Sequence, residues 1–70
     1  MLPDEVIEIL ESKGFEVDFD ADAGNQGGAV YVSLTNRVPS VSEVMDALSV
    51  DKSEFGRVYR WALEFVVIEL

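Results

Sequence analysis

Residues 40–62 have the sequence SVSEVMDALSVDKSEFGRVYRWA, and most of the expected architecture follows from them. The tetrapeptide at 40–43 has the form of a capping box, in which the Ser40 hydroxyl and the Glu43 carboxylate each accept a backbone N–H at the start of a helix. Ser49 interrupts the apolar stripe of this helix, and Asp51 then offers a new N-cap. We therefore predict two helices joined by a tight turn, the later one beginning at about residue 52.

The later helix is predicted from apolar residues at helical spacing. They are Phe55, Val58, Tyr59, Ala62, Phe65 and Val66. Residues 61–70, WALEFVVIEL, are apolar nearly all round, which is compatible with a buried helix, a third strand or a subunit interface. We favour a helix, and with it a helix-turn-helix over 40–68; association of two copies through Trp61–Leu70 stays open.

The N-terminal half has the patterns of a helix followed by two strands. Helical spacing of apolar residues predicts a helix over 3–13, with Pro3 in its first turn. Strict alternation of apolar and polar residues predicts strands around 15–20 and 30–34, and the glycine-rich connection at 21–28 favours an antiparallel hairpin. The expected fold class is α+β: a helix, an antiparallel β-hairpin, then a helix-turn-helix with a long C-terminal helix, all in one domain over 1–70.

Charge and composition limit the function. The net charge is −9, and residues 1–36 hold eight acidic residues and one basic residue. The chain has no cysteine and no histidine, which removes the commonest metal ligands and the commonest general base. We expect no enzyme, no cofactor, no metal and no small-molecule substrate. With no apolar run of about 20 residues and no signal-peptide pattern, we also expect no membrane partner and a cytoplasmic location.

Residues 50–62, VDKSEFGRVYRWA, resemble the closing helix of a cyclin-like repeat in the archaeal transcription factor B and eukaryotic factor IIB family, where Gly-Arg and Tyr-Arg recur in this order. Residues 41–44 resemble the helix before it, so the likeness covers about 40–64 and leaves the N-terminal half unmatched. The resemblance implies a helix pair suited to promoter DNA or to the transcription machinery.

The first functional hypothesis is a transcription-associated module that binds DNA or transcription proteins through its helix-turn-helix. Its candidate contact residues are Lys52, Ser53, Arg57, Arg60 and Trp61. The simpler interpretation of the two arginines is helix-surface pairing, of Arg57 with Glu54 or Ser53 and of Arg60 with Glu64. Adaptation to high salt would reconcile the acidic composition with DNA binding.

The second hypothesis is an acidic protein-interaction or nucleic-acid-mimic protein, of the kind that viruses use, which occupies a basic groove on a target protein. Its candidate surface consists of Glu8, Glu11, Asp18, Asp20 and Asp22. Residues 18–22 alternate carboxylates as calcium loops do, but the later positions of such a loop do not match, so solvated strand-edge acids are expected. The glycines at 24–28 lack the Lys-Ser or Lys-Thr of a phosphate-binding loop and are expected to form a hairpin loop.

Overall fold

The computed structural model describes residues 1–23 and 27–70, which form two helices and a four-stranded antiparallel sheet. The elements in chain order are α1 (Pro3–Ser12), β1 (Glu16–Asp20), β2 (Ala29–Ser33), α2 (Val41–Leu48), a 3₁₀ turn (Lys52–Glu54), β3 (Arg57–Trp61) and β4 (Phe65–Glu69). The strand order across the sheet is β1-β2-β4-β3, so β1 and β3 are the two edges. Within the described residues, no helix is long and apolar enough to cross a bilayer.

Helix α1 confirms the helix predicted over 3–13. Pro3 occupies its first turn, and the backbone N–H of Leu2 donates to Glu5 Oε1 at 2.9 Å, so the first turn is closed by a side chain. Val6 and Leu10, one helical turn apart, are fully buried. Just past the helix, Lys13 Nζ donates to the carbonyl oxygen of Ala47 at 2.6 Å and ties α1 to the end of α2.

The first hairpin was also predicted correctly. Strands β1 and β2 pair antiparallel, with Val17 opposite Val32 and Phe19 opposite Val30. The predicted loop at 21–28 falls partly on residues 24–26, which lie outside the described residues. Gly28 enters β2 at a φ of +83°, a conformation that favours glycine, and an added Cβ would lie 2.8 Å from the carbonyl oxygen of Asp20.

Helix α2 begins with the predicted capping box. Ser40 Oγ accepts the N–H of Glu43 at 3.1 Å, and Glu43 Oε1 accepts the N–H of Ser40 at 3.3 Å. The helix ends at Leu48, and Ser49 after it adopts the left-handed conformation at a φ of 58°, where glycine is the usual residue.

The second half of the predicted helix-turn-helix is wrong. Asp51 does act as an N-cap, with its carboxylate accepting the N–H of Ser53 at 3.1 Å, but it caps only the 3₁₀ turn. The chain then forms β3 and β4 in place of a long C-terminal helix. Gly56 makes the close approach that this change requires: its N–H donates to the carbonyl oxygen of Glu69 at 2.8 Å, where a Cβ would crowd that oxygen.

The sheet supplies the physical reason for the correction. Strand β4 lies between β2 and β3 and has hydrogen-bonded neighbours on both sides. A helix over 57–69 could not form these inter-strand hydrogen bonds. Its residues Val66 and Ile68 are fully buried against both helices. Most residues of both strands are β-branched or aromatic, and such residues are favoured on a pleated, half-buried surface.

One hydrophobic core lies between the helices and one face of the sheet. The strands contribute Val30, Val32, Val66 and Ile68, and the helices contribute Val6, Leu10, Val44, Met45 and Leu48. Because side chains alternate along a strand, the neighbouring residues of each strand point to the opposite face of the sheet.

Candidate protein interface

The face of the sheet opposite the helices, which we call the open face, is covered by none of the described helices. Strand register assigns its side chains in four columns. From edge to edge these are Glu16, Asp18 and Asp20 on β1; Ala29, Tyr31 and Ser33 on β2; Phe65, Val67 and Glu69 on β4; and Arg57, Tyr59 and Trp61 on β3. An acidic edge therefore adjoins an aromatic region on one continuous surface.

The aromatic region surrounds Val67. Tyr31 and Phe65 meet edge to face with ring centroids 5.0 Å apart, and Tyr59 and Trp61 are arranged in the same way at 6.5 Å. These four rings cover Val67, which is only 2% exposed although it lies on the open face. We call this set the aromatic cluster. Trp61 remains 53% exposed, so the cluster presents a large apolar ring to solvent.

The acidic column on β1 has no basic residue opposite it among the residues that the structure describes. Register places Glu16 against Ser33, Asp18 against Tyr31, and Asp20 against Ala29. Glu16 Oε2 accepts the hydroxyl of Thr35 at 2.8 Å, and Asp20 Oδ1 accepts the N–H of Asp22 at 2.9 Å. Both partners are neutral donors, so the negative charge of the column is not compensated there.

Two of the five basic residues contact groups elsewhere in the fold. Lys13 donates to the end of α2, and Arg37 forms a bidentate pair with Glu43. This hydrogen-bonded pair lowers the pKa of Glu43 below its ordinary range. The Arg37 side chain is 58% exposed and that of Glu43 35%, so solvent screens the pair and it adds little to stability.

Arg57 is the basic residue that lies on the open face itself. Its guanidinium lies 4.2 Å from the ring centroid of Tyr59 and 3.2 Å from Glu69 Oε2. Contact with Tyr59 and the nearby Glu69 carboxylate raise the pKa of Arg57 above its ordinary value. Arg57 therefore pairs with Glu69 on the neighbouring strand β4. Glu69 lies two columns away from the acidic column of β1.

The residues predicted to contact DNA do not share one helical face. Lys52 and Ser53 lie in the 3₁₀ turn, while Arg57 and Trp61 lie on the open face of β3. Arg60 is exposed and belongs by register to the opposite face. The two predicted helix-surface pairings of the arginines also require the absent helix, and Arg57 pairs instead with Glu69. DNA binding itself stays a prediction.

The predicted acidic surface is divided between two layers. Glu8 and Glu11 are exposed on α1, whereas Asp18 and Asp20 lie together on the open face of β1, with Asp22 just beyond the strand. In the part of the chain that the structure describes, no group of three carboxylates comes close enough to hold a metal ion. What the fold brings together is the pair of strand aspartates and the aromatic cluster.

Three members of the aromatic cluster were missed from the sequence. Trp61 was identified as a candidate, but Tyr31, Tyr59 and Phe65 were not. Tyr59 and Phe65 were assigned to a helix, and Tyr31 was placed on a strand without its aromatic neighbours. The alternation of Tyr59 and Trp61 with Val58 and Arg60 was the available signal.

Association through residues 61–70 also stays a prediction. The structure shows which of these residues have apolar surface available for it. Val66, Val67 and Ile68 are buried within the chain's own fold. Trp61 at 53% and Leu63 at 83% exposure retain accessible apolar surface.

The family implied by residues 40–64 has no independent support, since no family model, no curated protein and no solved structure matches the chain.

Proposed function

We propose that the protein is a non-enzymatic, acidic interaction module that binds a basic region of a partner protein on its open face. One observation carries the proposal: a column of three carboxylates without an opposing cation lies beside an aromatic cluster that no described helix covers. The column would attract positive charge, and the cluster would supply the apolar contact that holds it.

The two parts of the open face make different contributions to binding. A net charge of −9 and an uncompensated acidic column accelerate the encounter with a cationic partner, mainly through the association rate. The exposed Trp61 ring and the half-buried tyrosine rings provide apolar contact area, and such rings stack on cationic side chains. Binding of this kind weakens as salt screens the charges, yet it retains an apolar component that salt does not remove.

A basic protein is the partner that this surface favours over nucleic acid. Phosphate backbones are repelled by the acidic column, and the helix pair that was expected to enter a DNA groove is absent from the described residues. We therefore retain the acidic-interaction hypothesis with Asp18 and Asp20, which lie on the open face, and leave out Glu8 and Glu11 on α1.

Trp61 gives a direct test, because it is the single tryptophan of the chain and lies within the proposed interface. Its fluorescence is followed while the protein is titrated with a short peptide of lysine and valine, with a glutamate and valine peptide, and with duplex DNA. We expect the lysine peptide alone to change the emission, with an affinity that falls as salt rises.

Two charge-matched double variants locate the surface. Glu16→Gln with Asp18→Asn removes two charges from the open face, and Glu8→Gln with Glu11→Gln removes two from α1. We expect the first pair to weaken binding of the lysine peptide about tenfold and the second pair by much less. Equal losses would show attraction to net charge alone, and binding of DNA in place of the peptide would overturn the proposal.

A further inference from the structure

We propose that the partner binds by adding a β-strand to the β1 edge, through a segment in which basic and apolar residues alternate. The inference rests on the proposed function for the basic character of the partner. It adds the conformation of the bound segment and the pattern of its side chains.

The backbone of β1 is available for such pairing. Among the described strands β1 pairs only with β2, so one row of its N–H and C=O groups points away from the sheet. Four of its five residues are exposed and Val17 is half-buried. Strand addition at an exposed edge derives its affinity from main-chain hydrogen bonds and its specificity from alternate side chains.

The two rows of β1 side chains specify the occupant. Toward the open face, β1 presents the acidic column; toward the helices it presents Val17 and Phe19. Phe19 is 40% exposed, which is unusual for a phenylalanine on the core-facing side and leaves apolar area for a neighbour to cover. Side chains directly opposite across a pair of strands lie about 5 Å apart. A strand in which lysine or arginine alternates with valine or isoleucine places its basic side chains beside the acidic column and its apolar side chains beside Val17 and Phe19.

The other edge of the sheet does not suit this partner. Strand β3 carries Arg57 on one face and Arg60 on the other, so a basic strand would meet positive charge on both. The β3 edge of a second copy is itself a competing occupant for β1, because one of its two arginines would lie on the same face as the acidic column. The experiment therefore includes the oligomeric state.

The test uses the full chain and capped lysine-valine peptides, with binding measured by anisotropy of a dye on the peptide. The first peptide alternates the two residues, and a second has the same composition with the lysines grouped together. Two further peptides carry N-methyl groups on the backbone of the alternating sequence, one at the lysines and one at the valines. In a paired strand, either the N–H groups of the lysines or those of the valines point toward β1, but not both.

We expect the alternating peptide to bind about tenfold more tightly than the grouped peptide. We also expect one N-methylated peptide to lose about tenfold or more in affinity and the other to bind nearly as well as its parent, which corresponds to the loss of one or two hydrogen bonds. Phe19→Ser should weaken the alternating peptide, whereas Leu63→Ser, a matched change at an exposed apolar residue outside β1, should not.

The outcomes separate this inference from the proposed function. If lysine peptides bind but neither N-methylation matters, strand addition is wrong and the interaction module stands. If no lysine peptide binds at any salt concentration, both are wrong. Concentration-dependent self-association that is lost in Asp18→Asn would assign the β1 edge to a second copy and overturn the inference.

Discussion

The hairpins β1–β2 and β3–β4 have the same antiparallel geometry, yet their outer strands present opposite charges. The outer strand of the first hairpin carries three carboxylates toward the open face, with neutral residues opposite them. The outer strand of the second carries Arg57, which pairs with Glu69 on its own hairpin and stacks on Tyr59. The comparison shows that, on the open face, the β1 edge keeps its charge available while the β3 edge uses the charge of Arg57 internally.

The largest expected effect tests whether β4 packs into the core as a strand of the sheet. Ile68→Ala removes a fully buried side chain of β4 and should cost about 3 kcal/mol of unfolding free energy. Phe19→Ala removes a larger side chain from the first hairpin, but one that is 40% exposed, and should cost clearly less. Urea denaturation of both variants measures the difference. A smaller loss for Ile68→Ala than for Phe19→Ala would contradict this packing.

The second prediction concerns the backbone at the start of β2. Gly28→Ala should lower the free energy of unfolding by roughly 2 kcal/mol, because it combines a positive φ with a Cβ placed 2.8 Å from the Asp20 carbonyl oxygen and the Phe19 ring. Gly14→Ala is the matched control, since Gly14 has a similar φ of +90° but nothing within 4 Å of an added Cβ. Gly14→Ala should lower the free energy of unfolding only by the cost of the positive φ, about 1 kcal/mol. Similar thermal midpoints for the two variants would show that the close approach in the first hairpin is absent.

The third prediction concerns the turn of the second hairpin. Ala62 has a φ of 50°, which is unfavourable for any residue with a Cβ. Ala62→Gly should therefore raise the free energy of unfolding by roughly 0.5 to 1 kcal/mol, while Leu63→Gly, next to it in the same turn, should not. The gain is measured by chemical denaturation. Destabilisation by Ala62→Gly would mean that residues 61–65 do not form this turn.

The smallest expected effect lies in the segment between the hairpins. The pKa of Glu43 is lowered by its hydrogen bonds with Arg37, so the pair stabilises the fold above the ordinary glutamate pKa of 4.5 and loses that contribution as the pH falls through the lower folded value. Arg37→Gln should slightly lower the thermal midpoint at pH 7, and the difference from the wild type should vanish at strongly acidic pH. A difference that persists there would assign the effect to something other than this pair.

Local signals were sufficient for the first two-thirds of the fold. The capping box at Ser40 and Glu43 and the apolar spacing of α1 act within a few residues, and they formed as predicted. The alternation along β1 was equally clear because acidic residues separate its apolar ones. In each case a single periodicity fits the residues, so no distant partner is needed to choose between helix and strand.

The second hairpin could not be predicted in the same way, because its residues fit two periodicities. Val58 and Phe65 belong both to a helical stripe and to alternating strands, and long-range pairing of β4 with β2 decides between them. The turn carries no glycine, asparagine or proline, since Ala62 takes the left-handed position. The aromatic part of the candidate interface was missed with this hairpin: Asp18 and Asp20 were identified, but Tyr59 and Phe65 join the open face only when β3 and β4 pair with the sheet.

Amide hydrogen exchange of residues 16–20, with and without the alternating lysine-valine peptide, tests the central claim most directly. If a basic strand extends the sheet at β1, alternate amides of this strand that exchange rapidly in the free protein will become protected, while those of α1 and β3 will not change. Protection that appears on β3 or α1 instead, or saturating binding with no added protection at β1, would contradict the account.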